Sequence, residues 1–402
     1  MLFMKRISNV LTAVAVLVSL PCLAQGDLNF NLGTGLTATS SNESYRMSMG
    51  GSVQLLGASQ MTGQSSGLQA YPSLGFLRLK GSAKPESIDF LVQLNFAQAT
   101  PLLDAWIRHT SRWGSRITLG QMQSVGNGLE MLVFEDLQST PERSLLSQTF
   151  SRTGREAGIM FDHRLEKSGW GMALFAQVTS GDGQNSFGAD SRDVDLGGLK
   201  YAGRLELSIG EERDQSAPIQ FAPLNSKPSV LLGLSGSYNR GASDAVGEGH
   251  GTFQMYQGAT AAFPDYRKWC LDVLAMKGRF SFYGQMMYAT ATNLDGLQWT
   301  PSVSNLLRPQ EISSVLHLGK AFTGQIEYVL PNNWGVVGRW SIVLPEFDAY
   351  AENLIEASAE SLFGINRYVV SHQIKWFLGI QRRDYVVRTS EIRLSTMFQF
   401  RF

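Results

Sequence analysis

Residues 392–402, the last eleven of the chain, read IRLSTMFQFRF. Every second side chain of this stretch is apolar or aromatic apart from Thr396, and Arg393, Gln399 and Arg401 stand between them. Neighbouring side chains of a β-strand point to opposite faces, so this alternation predicts a strand with one apolar and one polar face. The two faces of the last strand are therefore expected to meet different surroundings.

The same alternation recurs in three other stretches, at residues 87–97, 199–209 and 280–288. These strands are about ten residues long, which suits a tilted strand that crosses a bilayer. After the N-terminal segment, the sequence contains no run of about 18 apolar residues, so a helical membrane protein is excluded. If the chain crosses a membrane, it does so with strands.

The stretches between the strands fall into two length classes. Short turn sequences stand at residues 84–86, 112–115, 166–169, 277–279 and 331–333, and longer polar segments at 179–195, 210–228, 241–251, 294–311 and 344–365. Short turns at one end and long loops at the other are typical of outer-membrane barrels. Most of the eight tryptophans fall near the predicted strand ends, as an interfacial aromatic girdle requires.

Composition excludes several classes of protein. The 402 residues include 34 basic and 34 acidic side chains, and this balance argues against a nucleic-acid binder. Two cysteines rule out a disulfide scaffold or a cysteine-rich zinc site, and the five histidines are scattered. We therefore expect no metal, no cofactor and no enzymatic activity.

The N-terminus has the layout of a secretory signal peptide. Lys5 and Arg6 form a short basic head, an apolar run follows, and small residues precede a predicted cleavage after Ala24. Residues 1–24 are thus predicted to be removed, leaving residues 25–402 as one exported domain.

Together these patterns predict an all-β fold, a transmembrane antiparallel β-barrel of about 16 strands, within a range of 14–18. A soluble β-sandwich also alternates and can also follow a signal peptide. The barrel is favoured because Phe402 ends an aromatic, alternating strand. Such an end resembles the signal that barrel-assembly machinery recognises in outer-membrane proteins.

Residues 75–185 contain a series of short motifs in a characteristic order and spacing. They are Leu103-Asp104-Ala105-Trp106, Ile117-Thr118-Leu119-Gly120-Gln121, Pro141-Glu142-Arg143-Ser144, Gly154-Arg155-Glu156-Ala157-Gly158 and Ser180-Gly181-Asp182-Gly183-Gln184-Asn185, with a weaker echo at Ile365-Asn366-Arg367-Tyr368. In this order and spacing the motifs resemble the phosphate-selective porin O and P family. The resemblance implies a 16-stranded trimeric channel in the lipopolysaccharide-bearing outer membrane, with a long third loop folded into the lumen and small anions as permeants. The family often has Gly-Gln-Phe-Lys at the start of that loop, whereas this sequence ends the motif with Gln123 and lacks the cation.

The candidate site residues are the charges expected inside the barrel. Charge in a narrow lumen selects ions by its field, and arginine holds phosphate or carboxylate through two hydrogen bonds. The long loop carries the acidic residues Glu130, Glu135, Asp136 and Glu142 together with Arg143, and Arg155 begins the next strand. Alternation places Arg78, Lys80, Arg108, Arg116, Lys200, Arg204 and Arg339 on the lumenal face.

Each of these charges also has a structural interpretation. The wall cations can hydrate the barrel interior and pair with Asp89, Asp104 and Glu206. The adjacent pairs Glu142-Arg143 and Arg155-Glu156 either anchor the loop to the wall or contact permeant ions.

Two functions remain open from the sequence. The first is a passive diffusion channel for small hydrophilic solutes with a preference for phosphate-like anions. The second is a non-conducting barrel that serves as an envelope scaffold, adhesin or receptor through external loops at residues 210–228 and 344–365.

Overall fold

The structure is a computed structural model that describes residues 26–63, 65–84, 87–152, 154–185, 198–210, 218–224, 226–247, 253–301 and 306–402. The predicted signal peptide lies outside the described residues. No described helix is long and apolar enough to cross a membrane. The strands are β1 (Gly26–Asn31), β2 (Gly35–Ser40), β3 (Tyr45–Thr62), β4 (Ser65–Ala83), β5 (Ile88–Asn95), β6 (Leu102–Thr110), β7 (Arg116–Gln123), β8 (Arg155–Lys167), β9 (Trp170–Thr179), β10 (Lys200–Gly210), β11 (Ser226–Asn239), β12 (Met255–Gln257), β13 (Thr260–Ala262), β14 (Asp265–Gly278), β15 (Phe280–Thr292), β16 (Gly319–Val329), β17 (Trp334–Pro345), β18 (Ser358–Val370), β19 (Ile374–Tyr385) and β20 (Glu391–Arg401).

The strands β3 to β11 and β14 to β20 form a closed 16-stranded antiparallel barrel, which confirms the predicted fold and strand number. Strands that follow one another in this series pair with each other, and β20 pairs with β3 to close the ring. Closure removes the sheet edges, so every wall strand has a hydrogen-bonding neighbour on both sides. The backbone hydrogen bonds of the wall are therefore made within the protein, as the interior of a bilayer requires.

The two faces of the wall differ as the alternation predicted. In β15, Phe280, Phe282 and Met286 are exposed on the outside, whereas Ser281 and Gln285 are buried on the inside. The outer surface of the barrel is therefore an apolar belt suited to lipid.

The barrel seam is closed by the last residue of the chain. The backbone of Phe402 exchanges two hydrogen bonds with Gly51 on β3, of 2.8 and 2.9 Å, and its ring stacks on Phe400 at 6.0 Å. A hairpin of β1 and β2 pairs with the first residues of β3, beyond the end of β20. The sequence patterns did not predict this hairpin.

One end of the barrel, here called the short-turn end, joins its strands through tight connections. The other, called the long-loop end, carries residues 124–154, 240–264, 293–318 and 346–357. The sequence pattern predicted that residues 210–228 form an external loop, and this prediction is wrong. Because β10 runs towards the short-turn end and β11 starts there, the connection between them lies at that end.

The described part of this connection, residues 218–224, turns into the barrel; we call it the inner segment. Phe221 and Ala222 are 2% and 0% exposed. Its sequence, PIQFAPL, is apolar within a polar stretch. Burial of apolar surface accounts for its position inside the lumen.

Candidate functional site

The long segment between β7 and β8, residues 124–154, lies inside the barrel, as predicted, and is here called the lumenal loop. It contains the helices Leu129–Leu132 and Leu145–Phe150 and a 3-10 turn at Glu135–Leu137. Leu129 and Phe150 have no exposed surface. The loop therefore narrows the lumen as a compact segment with buried side chains of its own.

Basic residues of the wall fasten this loop. Arg78 on β4 donates two hydrogen bonds of 2.6 and 2.8 Å to the Asp136 carboxylate. Arg339 on β17 donates to the Thr140 hydroxyl at 2.9 Å, and Lys375 on β19 donates to the Gln138 carbonyl at 2.5 Å. These contacts reach the loop from separate parts of the wall and fix its height in the lumen.

Glu130 organises the loop internally. Its carboxylate accepts hydrogen bonds from the Ser144 backbone at 2.8 Å and from the Ser147 hydroxyl at 2.6 Å. It is 3% exposed. The structure therefore places Glu130 against the second helix of the loop rather than at the surface of a passage.

Four charged residues meet where the loop approaches β6 and β8; we call them the constriction cluster. Arg155 lies 3.0 Å from Asp104 and 3.0 Å from Glu135, and Arg143 lies 3.2 Å from Glu135. Burial acts to raise the pKa of Glu135, but Arg155 and Arg143 outweigh burial and hold it at about 2. Glu135 is therefore ionised at neutral pH.

A cavity lies on either side of the constriction cluster. The outer cavity, about 670 Å³, faces the long-loop end and is lined by Arg143, Arg155 and Glu135 among others. The inner cavity, about 340 Å³, lies below the loop and is lined by Asp104. Since Arg155 and Asp104 touch each other, the cluster is the partition between the two cavities.

Arginine dominates the outer cavity. Glu142 is paired with Arg393 at 2.5 Å, whereas Arg152 lies 4.0 Å from Asp244 and keeps 63% of its side chain exposed. By residue type, arginines outnumber glutamates in this lining, and Arg383 is also paired with Glu360, which lies outside the lining, at 2.7 Å. The charged lining residues are the arginines Arg143, Arg152, Arg155, Arg383 and Arg393 and the glutamates Glu135, Glu142 and Glu391.

Most of the wall cations selected from the sequence face the lumen in ion pairs. Lys200 lies 2.9 Å from Glu156, and Arg204 lies 2.8 Å from both Asp272 and Glu206. The pairs of Lys200 with Glu156 and of Arg204 with Asp272 connect strands that are two apart in the barrel, and each pairs a positive with a negative charge. Two further pairs are Arg116 with Asp162 and Arg339 with Glu360.

Lys80 and Arg108 differ from this pattern. In the part of the chain that the structure describes, neither contacts a carboxylate within ion-pair distance. Lys80 lies 5.7 Å from the Phe134 ring, and the Arg108 guanidinium lies 4.4 Å from the Trp106 ring. Each of these two cations therefore lies beside an aromatic ring instead of a carboxylate.

The inner segment packs against the lumenal loop from below. The Phe221 ring lies 4.7 Å from that of Tyr283, in a buried cluster with Leu129 and Val133 of the loop. Beside the segment, a further cavity of about 420 Å³ shares Ile219 with the inner cavity and extends to the short-turn end. These two cavities therefore border one side of the barrel wall, from β5 round to β14.

Sequence reasoning missed several of these residues. Arg393 stands on the polar face of the last strand and Arg383 near the end of β19, so alternation could have found both. The inner segment had a weaker signal, its apolar run within a polar connection.

No protein-family model and no curated protein sequence matches the chain. Among solved structures, the fold is similar to an anion-selective porin from Comamonas acidovorans, at 10% identity and a TM-score of 0.56 over 89% of this chain and 100% of that one. It is similar to the channel DcaP of Acinetobacter baumannii, at 13% identity and 0.52 over 90% and 99%. OmpT of Vibrio cholerae, folded in vitro and described as a trimer form, gives 7% and 0.52 over 89% and 99%. At these identities the likeness shows the fold alone, which is that of outer-membrane porins.

Proposed function

We propose that this protein is a passive diffusion channel of the bacterial outer membrane for small hydrophilic solutes, with a preference for anions. The observation that carries the proposal is the outer cavity, whose lining includes five arginines and three glutamates, with Arg143, Arg155 and Glu135 of the constriction cluster among them. A cavity with an excess of one charge, enclosed by low-dielectric walls, concentrates ions of the opposite charge. Neutral hydrophilic solutes and anions would then both pass beside Arg143 and Arg155.

The finer assignments extend this proposal. The resemblance of residues 75–185 to the phosphate-selective porins makes inorganic phosphate the first anion to test, although Gln123 stands where that family often has lysine. Assembly as a trimer is supported by the similar fold of a protein described as a trimer form. Phe402, at the closing seam, is the residue we assign to recognition by barrel-assembly machinery.

One observation favours the second candidate function, a closed barrel. The lumenal loop and the inner segment fill the lumen from opposite ends and pack on each other. In that case the protein would act as a scaffold, adhesin or receptor through its external loops. Of the two segments first considered for this role, only the connection at residues 346–357 lies at the long-loop end.

Swelling of proteoliposomes distinguishes the two functions. Liposomes that contain the folded protein are diluted into an isotonic solution of a small neutral sugar, and their turbidity is followed beside protein-free liposomes. A channel predicts a fall in turbidity from solute entry and swelling. Turbidity that matches the protein-free control, with the barrel shown to be folded, would establish the closed barrel instead.

A further inference from the structure

The inner cavity has a lining unlike that of the outer cavity. Aromatic and other apolar side chains form much of its wall, among them Trp106, Met122, Phe134, Met160 and Phe175. Barrel interiors are usually polar, and the outer cavity is lined by arginine, glutamate and glutamine. The same cavity is also lined by charged residues, so it suits an occupant that has both apolar surface and charge.

Three arginines line this cavity, and two of them already have carboxylate partners: Arg204 pairs with Asp272 and Glu206, and Arg164 lies 3.9 Å from Asp162. The third, Arg108, has no carboxylate within ion-pair distance among the described residues. Among the described residues, it donates a hydrogen bond through Nε alone, to the Thr118 hydroxyl at 3.0 Å. Its guanidinium lies over the Trp106 ring, and both side chains line the cavity. Its two terminal nitrogens remain able to donate to a ligand, and a guanidinium matches the two oxygens of a carboxylate.

We propose that the inner cavity binds an organic monocarboxylate with a compact aromatic body, a class represented by benzoate. The carboxylate is held by Arg108, and the ring lies against Trp106 and Phe175. The volume of about 340 Å³ lies within the range of small-molecule sites. This inference rests on the proposed function, because the channel is the route by which such a solute reaches the cavity.

Other occupants fit the cavity less well. Inorganic phosphate would satisfy Arg108 but would leave the apolar wall in contact with water. A neutral aromatic alcohol would cover the wall but would leave the guanidinium without a charged partner. The site therefore distinguishes solutes by requiring charge and apolar surface in the same molecule.

The test is calorimetric titration of the folded full-length barrel in lipid nanodiscs with benzoate, inorganic phosphate and benzyl alcohol, each corrected for empty nanodiscs. We expect benzoate to bind at least ten-fold more tightly than either of the others. Charge-assisted hydrogen bonds contribute roughly 1.5–3 kcal/mol, so Arg108→Gln should weaken benzoate binding by about ten- to hundred-fold. Arg112→Gln, in the exposed turn between β6 and β7, is the matched control and should leave the affinity unchanged.

Equal affinity for benzoate and phosphate, or undiminished benzoate binding by a folded Arg108→Gln variant, would overturn the proposal. If that variant does not fold, the three-ligand comparison on the unaltered protein decides the matter. Because binding is measured without transport, the two proposals fail separately. Swelling without benzoate binding would support the channel and refute the site in the inner cavity. Benzoate binding without swelling would support the site and refute the channel.

Discussion

The Nε atom of Arg155 lies 3.0 Å from a carboxylate oxygen of Asp104, and the two side chains line different cavities. Arg155 belongs to β8 and faces the outer cavity, whereas Asp104 belongs to β6 and faces the inner one. The ion pair therefore joins β8 to β6 and lies between the two cavities, so in the proposed path it stands where a solute would leave one cavity for the other.

Removal of Arg155 should destabilise the barrel. Arg155→Gln leaves Asp104 and Glu135 without their shared cation, and breaking a buried pair in this way costs about 3–5 kcal/mol. Urea unfolding of the reconstituted barrel, followed by tryptophan fluorescence, measures the loss. The exposed Arg152→Gln substitution should change the free energy of unfolding by less than about 0.5 kcal/mol. Equal stability of the two variants would show that Arg155 is not an anchor.

Ion selectivity should follow the charge of the outer cavity in both directions. Arg393→Gln removes one positive charge and should lower the permeability ratio of chloride to potassium, whereas Glu142→Gln removes the partner charge and should raise it. Arg112→Gln, in a turn at the opposite end, is the control. If the permeability ratio shifts in the same direction in both variants, or in neither, the outer cavity does not set the ion selectivity.

Loosening the inner segment should enlarge the path. Phe221→Ala removes a buried ring from its contact with Tyr283, and such a truncation costs about 3–5 kcal/mol of packing. We expect a higher single-channel conductance, because the segment no longer holds its place below the lumenal loop. Phe280→Ala, on the lipid face of β15, removes an equal ring and should leave conductance unchanged. An unaltered conductance in Phe221→Ala would mean that the segment does not limit the path.

Acid should release the lumenal loop only at low pH. The folded-state pKa of Glu135 is about 2, below its ordinary value of 4.5, so the folded protein binds fewer protons than the unfolded chain. The stabilisation is therefore complete above about pH 4.5 and is lost as the pH falls towards 2. Asp136 responds in the same direction, since burial is outweighed by Arg78 and its pKa is also about 2. Conductance recorded at intervals from pH 7 to pH 2 should stay constant until this window, and a change centred near pH 6 would contradict the assignment.

The barrel was predictable because lipid and lumen impose different side chains on the two faces of each strand. That rule acts on every residue of β5, β15 or β20, and so it is visible in the sequence without knowledge of the partners. The lumenal orientation of Arg204 and Lys200 follows from the same rule.

The pairings inside the lumen were not predictable. Arg155 and Glu135 were both selected as candidate residues, but the contacts that Arg155 makes with Glu135 and Asp104 depend on the register of β6, β7 and β8 and on the path of the lumenal loop. Asp89, Asp104 and Glu206 were proposed as partners of the wall cations as a group. Arg204 pairs with Glu206, but its second partner, Asp272, comes from β14, which is not its neighbour in the barrel. Contacts of this kind are set by the closed barrel as a whole.

The position of the inner segment was missed for a different reason. Residues 210–228 were judged by their overall polarity, which resembles that of an external loop. The direction of β10 decides to which end the connection belongs, and that direction depends on a correct count of every preceding strand. The buried Phe221 then shows that a short apolar run outweighs the average composition.

The central claim is that an open, anion-favouring path runs past Arg143 and Arg155. The measurement that tests it most directly is the reversal potential of single channels in a planar bilayer under a KCl gradient, repeated with added phosphate. We predict discrete openings with chloride more permeant than potassium, and a lower conductance when phosphate occupies the outer cavity. Folded protein that gives no openings, or openings that favour potassium, would contradict the account.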